Sequence, residues 1–458
     1  MTTKAAPSQE ALGRVHFIGI GGVGMSAVAR IMVARGIPVS GSDAKDLPVM
    51  KELAAAGARI CVGYGAGNLG DAQTVVAGSA IRADNPELEA ARAAGLPVLH
   101  RSEALAATMG DDLVVTVAGT HGKSTTTSMI TVLLQGAGLD PSFAIGANVP
   151  ALGVNAANGS SRVFVAEADE SDGSFLNYRP QIAVVTNVEP DHLDHYGTAE
   201  AVYESFDRFT ALLPADGVLV ACADDAGAHA LALRTRERGN VRVVLYGTSE
   251  AADLRLDDGG PGKVAITTAG GRFPLALQVP GRHNALNAAA AMAVALELGV
   301  DAQAAASALA GFSGASRRFE YKGEGRGVRV YDDYAHHPTE VRAALAAARS
   351  LAGDHKVHVL FQPHLFSRTR EFAAEFADAL KAADTALVLD IYPAREDPIP
   401  GVTSALITEH LGAGSGLVGG DEAAAAVAAA ARPGDIILTA GAGDVTAYGP
   451  LIVESLGG

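Results

Sequence analysis

Tryptophan is absent from the 458 residues, and cysteine is nearly so, with only Cys61 and Cys222. Two cysteines far apart, in no metal-ligand or redox spacing, exclude a disulfide scaffold and predict a reducing compartment, where both read as small core residues. No stretch approaches the roughly 20 apolar residues that a membrane span requires. The first residues, Met1 to Arg14, are polar and lack the apolar core of a leader peptide. A cytoplasmic protein with no membrane partner is the expectation. Positive charge is also scarce: 35 lysines and arginines stand against 51 aspartates and glutamates, a formal net charge of −16. That balance argues against a nucleic-acid partner, because phosphate backbones are met by basic faces. An anionic substrate would have to be held by local positive groups.

What the chain does contain is strand–helix alternation. Its length exceeds one typical domain of roughly 100–200 residues and predicts two to four. Residues 15–20 read as a buried strand, followed by Gly19-Ile20-Gly21-Gly22-Val23-Gly24, a helix over 25–35 and a strand ending at Asp43. This is the G-x-G-x-x-G dinucleotide fingerprint with an acidic residue about 20 positions on; its glycines let the backbone approach a pyrophosphate at the helix N-terminus. Taken alone, it fits a nicotinamide-dependent dehydrogenase. Alternation continues through 74–77 and 96–99 to a helix ending near Met109, closing a Rossmann-like domain over 1–109.

Residues 114–127 repeat the pattern with different chemistry. An apolar strand breaks into Gly119-Thr120-His121-Gly122 and reopens as a helix beginning Lys123-Ser124-Thr125. Backbone N–H groups of such a turn and the positive helix end hold phosphate oxygens, the lysine neutralises the β/γ phosphates, and the Ser hydroxyl can ligate Mg²⁺. ATP is the predicted cofactor. The loop is a variant, since Val117 stands where the full P-loop pattern has its first glycine, and a glycine turn capping an ordinary βα unit is the plain alternative. Strands at 162–167 and 182–187, short strands with Gly-rich turns over 241–279 and a helix over 285–298 complete a central domain, 110–314. Strands at 329–334, 357–361, 386–390 and 435–439, with helices from Ser367 and over 421–431, predict a third domain, 315–458. The Ala-rich end of that last helix reads as a surface helix of strong propensity. The expected class is α/β with three domains: Rossmann-like N-terminal, central P-loop-type ATPase, Rossmann-like C-terminal.

Three acidic and histidine-rich segments end predicted strands: Glu167-Ala168-Asp169-Glu170-Ser171-Asp172, Asn187 through His195, and Asp332-Asp333-Tyr334-Ala335-His336-His337-Pro338. Strand ends converge on one crevice in such sheets. Mg²⁺ prefers oxygen ligands, so a Ser hydroxyl, one carboxylate and phosphate oxygens would satisfy it, with an imidazole an unusual addition. Asn284 precedes an Ala-rich helix and can cap it, or its amide can meet an adenine edge. Arg317-Arg318 falls where a hinge is expected, and His364 and Arg368 close another strand, where an arginine could clamp a carboxylate. As isolated residues, these would be surface charges.

Taken together, the segment from His16 to Ser26, Gly119-Thr120-His121-Gly122-Lys123-Ser124-Thr125, the acidic run from Glu167, Glu189-Pro190-Asp191-His192-Leu193-Asp194, Gly281 to Asn287, and Asp332 to Glu340 resemble the Mur ligases over essentially the whole chain. The pattern is similar to the branch of that family that adds L-alanine. The resemblance implies three domains taking a UDP-sugar, ATP and an amino acid, and it reassigns the first fingerprint to the diphosphate of UDP-N-acetylmuramate. Gly19, Gly21, Gly22, Val23, Gly24, Met25, Ser26 and Asp43 would then hold the UDP-sugar. Gly119, Thr120, His121, Gly122, Lys123, Ser124, Thr125, Asn284, Arg318 and Asp333 would hold ATP. Ser124, Glu167 and His192 would hold Mg²⁺, with Lys123, Glu167 and His192 catalytic. Tyr334, His336, His364 and Arg368 would form the amino-acid pocket, Arg368 receiving the carboxylate, although His336 and His337 read equally well as hinge or packing residues.

The implied reaction is amide synthesis in two steps, through an acyl phosphate formed on the lactyl carboxylate, by a monomer or homodimer. Many relatives carry a metal-binding carbamylated lysine on the helix after the Asp-His motif; residues 187–225 contain no lysine, and Asp207 stands near that place. Because Lys123 is read as a loop residue, its removal is expected to spare the fold.

Overall fold

The computed structural model describes residues 9–78, 81–239, 241–258, 264–394, 396–412 and 414–457. The first eight residues, included in the leader-peptide expectation, lie outside the described residues, as does part of the region expected to hold short Gly-rich strands. Three sheets account for the strands, in the α/β, three-domain plan that the sequence predicts.

The first sheet has five parallel strands in the order Arg59–Val62, Val39–Asp43, Val15–Ile18, Thr74–Ala77, Val98–His100. All four residues of Val15–Ile18 are buried, as in a parallel sheet covered on both faces. The chain reverses direction of winding beside this strand, which places Gly19 to Gly24 at a topological switch point.

Ten strands form the second sheet. Its parallel centre runs Arg242–Gly247, Val218–Cys222, Ile182–Val185, Leu113–Ala118, Val163–Glu167, Ser142–Ala144. Leu254–Asp258 extends it in parallel, and the hairpin strands Val264–Thr268 and Gly271–Pro274 finish that edge antiparallel. The helix Lys123–Gly136 is buried over Ser124 to Leu134 despite five threonines and serines in its first turns. Three hydroxyls of this helix are tolerated because they donate back to it: Thr127 to Lys123 O at 2.8 Å, Ser128 to Ser124 O at 2.6 Å, Thr131 to Thr127 O at 2.8 Å. Arg35, just past the helix Val23–Ala34, ties the two sheets within one compact unit: its guanidinium bonds Asp112 at 2.7 Å, Asn158 at 2.6 Å and the Thr108 carbonyl.

The third sheet orders Glu320–Gly325, Val328–Asp333, Ile436–Ala440, Val357–Phe361, Thr385–Val388, Gly416–Leu417, parallel except for its first strand. Helix Gly420–Ala430 is the expected Ala-rich surface helix, with Ala423, Val427 and Ala428 turned into the core. By packing, the chain divides into two units, and Leu277–Ala285 belongs with the third sheet's unit rather than with the second sheet. One cause is visible at Gly281, whose φ of +98° suits glycine and whose Cα is bare: a Cβ there would meet Ala347 at 3.3 Å.

Candidate active site

The phosphate loop is built by glycines where no other residue fits. Gly119 adopts φ +136° with Thr186 Oγ1 against its Cα, and Gly122 adopts φ +82° with Asn287 Oδ1 at 2.9 Å from a built Cβ. The loop is strapped to the end of the neighbouring strand. His121 N donates to Asn187 Oδ1 at 2.7 Å, Asn187 Nδ2 to His121 O at 3.0 Å, and Glu189 N to Thr120 Oγ1 at 2.9 Å. Lys123 is the first residue of the helix, not a loop residue, and its side chain is partly buried. Its ammonium donates to Gly119 O at 2.7 Å, Thr120 O at 3.2 Å and Glu170 Oε1 at 2.8 Å. Burial opposes the charge, but Glu170 and Asp169 outweigh it and raise the lysine above its ordinary pKa.

Ser124 Oγ donates to Glu167 Oε1 at 3.0 Å, and Glu167 Oε2 accepts from Gly146 N at 2.8 Å. Hydroxyl and carboxylate oxygens at a phosphate loop are the hard donors that Mg²⁺ takes. His192 sits at φ +55°, a costly conformation for a residue with a Cβ, with Nε2 at 3.7 Å from Glu170 Oε1 and 3.6 Å from Asp191 Oδ2. Burial pushes Glu170 up to about 7 even though Lys123 pulls it down. Ser124, Glu167 and His192 therefore come from three segments to the loop region.

Asp207 does something else. Its carboxylate takes Arg234 Nε at 3.1 Å on each oxygen and Arg238 Nη2 at 3.2 Å, which makes it a partly exposed ion-pair hub between helices. Asp207→Ala is expected to cost roughly 0.5–1 kcal/mol of stability while leaving the Mg²⁺ dependence of turnover unchanged; thermal melting and a Mg²⁺ titration check the two halves separately.

At the fingerprint, Asp43 Oδ2 accepts from Gly21 N at 3.0 Å, so the strand-end acid braces the glycine turn. The helix begins at Val23, with Met25 and Ser26 buried in its first turns. No sequence motif points to Arg101. Its side chain lies across Gly24, with Cδ at 2.9 Å from where a Cβ would be, and Nη2 reaches Asp169 Oδ2 at 3.7 Å.

In the C-terminal unit, Asp333 Oδ2 accepts from Phe319 N and Oδ1 from Ala335 N, each at 2.8 Å, and burial pushes its carboxyl up to about 6. The guanidinium of Arg318 stands 5.1 Å from the Tyr334 ring centre and that of Arg317 4.8 Å. Arg317 is further occupied by the Gly441 carbonyl at 2.6 Å. Tyr334, His336 and His364 form a chain of edge contacts, with His364 stacked on Tyr392 at 5.9 Å. Burial pushes His336 down to about 3, Glu340 opposing and Arg368 reinforcing. Arg368 is buried in the first turn of Phe366–Leu380, beyond Leu365 at φ +71°. His337 is the N-cap of Pro338–Ala352, with Thr339 N donating to its Nδ1 at 3.4 Å. Asn284 also departs from expectation. It is the third residue of helix Arg282–Glu297, not its cap, because the helix starts earlier, and its Nδ2 donates to Pro280 O at 2.6 Å. Asn287, one turn further on, is the amide found against Gly122.

Three stretches match known domain families: residues 14–112 the Mur ligase family catalytic domain, 117–295 the Mur ligase middle domain, and 317–443 the Mur ligase glutamate ligase domain. The chain belongs to the Mur ligase family. It is 82% identical over 452 residues to the UDP-N-acetylmuramate–L-alanine ligase of Arthrobacter sp. (strain FB24), covering 99% of this chain and 97% of that one. The protein of the same name from Paenarthrobacter aurescens (strain TC1) is 78% identical, with 100% of each chain covered. Among solved structures, the UDP-N-acetylmuramate-alanine ligase of Thermotoga maritima matches with a TM-score of 0.77 at 29% identity, covering 96% of this chain and 98% of that one. A murein peptide ligase from Psychrobacter arcticus 273-4 matches with a TM-score of 0.72 at 25% identity, covering 97% and 99%.

Proposed function

We propose that this chain is an ATP-dependent ligase that joins L-alanine to the lactyl carboxylate of UDP-N-acetylmuramate in peptidoglycan precursor synthesis. The observation that carries this is the phosphate loop with Lys123 beside Ser124 and Glu167, in a chain 82% identical to a protein of that name. A carboxylate is a poor acyl donor at neutral pH, so it first takes the γ-phosphoryl group of ATP, leaving ADP. The amine of L-alanine then attacks the acyl carbon and phosphate departs. Phosphoryl transfer gains mostly from positioning and charge neutralisation. Lys123 and the loop from Gly119 to Thr125 hold and neutralise the phosphates. Mg²⁺ would be held by Ser124 and Glu167, with His192 beside them, and would supply further charge neutralisation.

Residues 1–109 would take the UDP-sugar, with Gly19 to Ser26 on its diphosphate and Asp43 bracing that turn. Residues 110–314 would take ATP and residues 315–458 the amino acid, through Tyr334, His336, His364 and Arg368, with Asn284, Arg318 and Asp333 contributing to the nucleotide. The reaction belongs in the cytoplasm, where ATP is supplied, and a monomer or homodimer would suffice.

The test is phosphate release from ATP, Mg²⁺ and UDP-N-acetylmuramate, with and without L-alanine, read beside product mass. Release that depends on alanine, with a UDP-sugar-alanine mass, is the expected result. Release that responds instead to a tripeptide would identify a peptide ligase, and melting shifts with NAD(H) but not ATP would restore the dehydrogenase alternative.

A further inference from the structure

Glu170 is a buried acid that the mechanism above does not use. It lies in the loop after Val163–Glu167, with only 2% of its side chain exposed. The Tyr196 hydroxyl, donating to its backbone carbonyl at 2.5 Å, helps fix that loop. Its Oε1 receives the Lys123 ammonium at 2.8 Å, while Oε2 is buried with no hydrogen-bond partner among the described residues. An ammonium has three hydrogens, and Lys123 spends them on Gly119 O, Thr120 O and Glu170 Oε1. The two carbonyls are part of the loop itself. Glu170 is the anionic acceptor, sitting on the ammonium where a phosphate oxygen would have to sit.

We propose that Glu170 is a positioning residue for Lys123: its carboxylate competes with a nucleotide phosphate oxygen for the ammonium, and so sets nucleotide affinity and release. This rests on the ATP-using reading of the loop. A carboxylate beside a polyanion site weakens binding by repulsion and by holding the countercharge, and in a buried site both effects are screened much less by salt. In exchange, the lysine is kept aimed into the loop before substrate arrives, and product ADP is displaced more readily when the carboxylate returns.

Titration calorimetry with Mg·ADP on the full chain tests this. In Glu170→Gln the amide oxygen still accepts from Lys123 but the charge is gone, and the expected result is Mg·ADP binding about three- to tenfold tighter. In steady state, KM for ATP falls and kcat falls with it as ADP release slows. Glu170→Asp restores the charge and is expected to return affinity toward the wild-type value. Equal or weaker Mg·ADP binding in Glu170→Gln, or tightening in both variants alike, would overturn the proposal, since a merely structural carboxylate would lower the melting temperature without tightening the nucleotide. Failure of the wild-type chain to bind Mg·ADP would instead sink the ATP reading on which the proposal stands.

Discussion

Lys123→Ala is expected to lower kcat by roughly three to four orders of magnitude, the equivalent of about 4–5.5 kcal/mol of transition-state stabilisation. Charge builds on the phosphoryl oxygens during transfer, and Lys123 is the protein cation already aimed at the loop, its Nζ 2.7 Å from Gly119 O and 3.2 Å from Thr120 O. The reason the fold survives differs from the one a loop position would supply. Lys123 opens a buried helix and neutralises Glu170, so its loss leaves a carboxylate with no cation bonded to it. Burial already pushes Glu170 up to about 7 with the lysine present, so it takes up a proton once the lysine is gone rather than unfolding the loop. The double variant Lys123→Ala/Glu170→Gln should therefore regain melting temperature lost by the single variant and regain no turnover. Phosphate release and thermal melting on the three proteins decide this, and turnover near the wild-type rate in Lys123→Ala would remove the lysine from the chemistry.

The central strands were legible because they are short apolar runs covered on both faces, and Thr74–Ala77 and Val357–Phe361 fall where their β-branched residues place them. Ser124 and Glu167 were legible as candidates because each stands where a strand gives way to a loop or helix, and strand ends in such sheets face one crevice. Glu170 was not. Glu167, Asp169, Glu170 and Asp172 are four acids within six residues, and composition does not say which carboxylate turns inward. That choice is made by the turn, through Gly173 at φ +70°, the Asp172 carboxylate accepting from Ser174 N at 3.0 Å, and Tyr196 reaching back from another segment. Arg101 was hidden for a similar reason, since its neighbours Gly24 and Asp169 meet it only through the tertiary fold. Of the two readings of Asn284, the cap is the one that fails, although an Asn before an alanine run has the look of one. The helix begins three residues sooner than expected, at Arg282, which carries Asn284 into the first turn and leaves Asn287 at the phosphate loop.

Glu167→Gln is the second large effect, on the order of 10³-fold in turnover or about 4 kcal/mol, and it separates the metal role of this residue from a structural one. The glutamate bridges two donors, Ser124 Oγ at 3.0 Å and Gly146 N at 2.8 Å. A glutamine of the same length can keep both contacts, with its carbonyl on Gly146 N–H and its amide on the serine oxygen, because a hydroxyl accepts as well as it donates. The fold is thus preserved, and the expected change in melting temperature is small. What is lost is the anionic oxygen beside Ser124. A neutral amide is a poorer ligand for Mg²⁺, and in this arrangement its NH₂ group would face the serine oxygen and the cation. Mn²⁺ binding followed by paramagnetic resonance in the presence of ATP should weaken in step with turnover, and raised Mg²⁺ should recover part of the rate. Shortening to Glu167→Asp should behave worse for stability, because one carboxylate can no longer span the serine and Gly146. If Glu167→Gln binds Mn²⁺·ATP as the wild type does, Glu167 is a strut for the loop and the cation is held elsewhere.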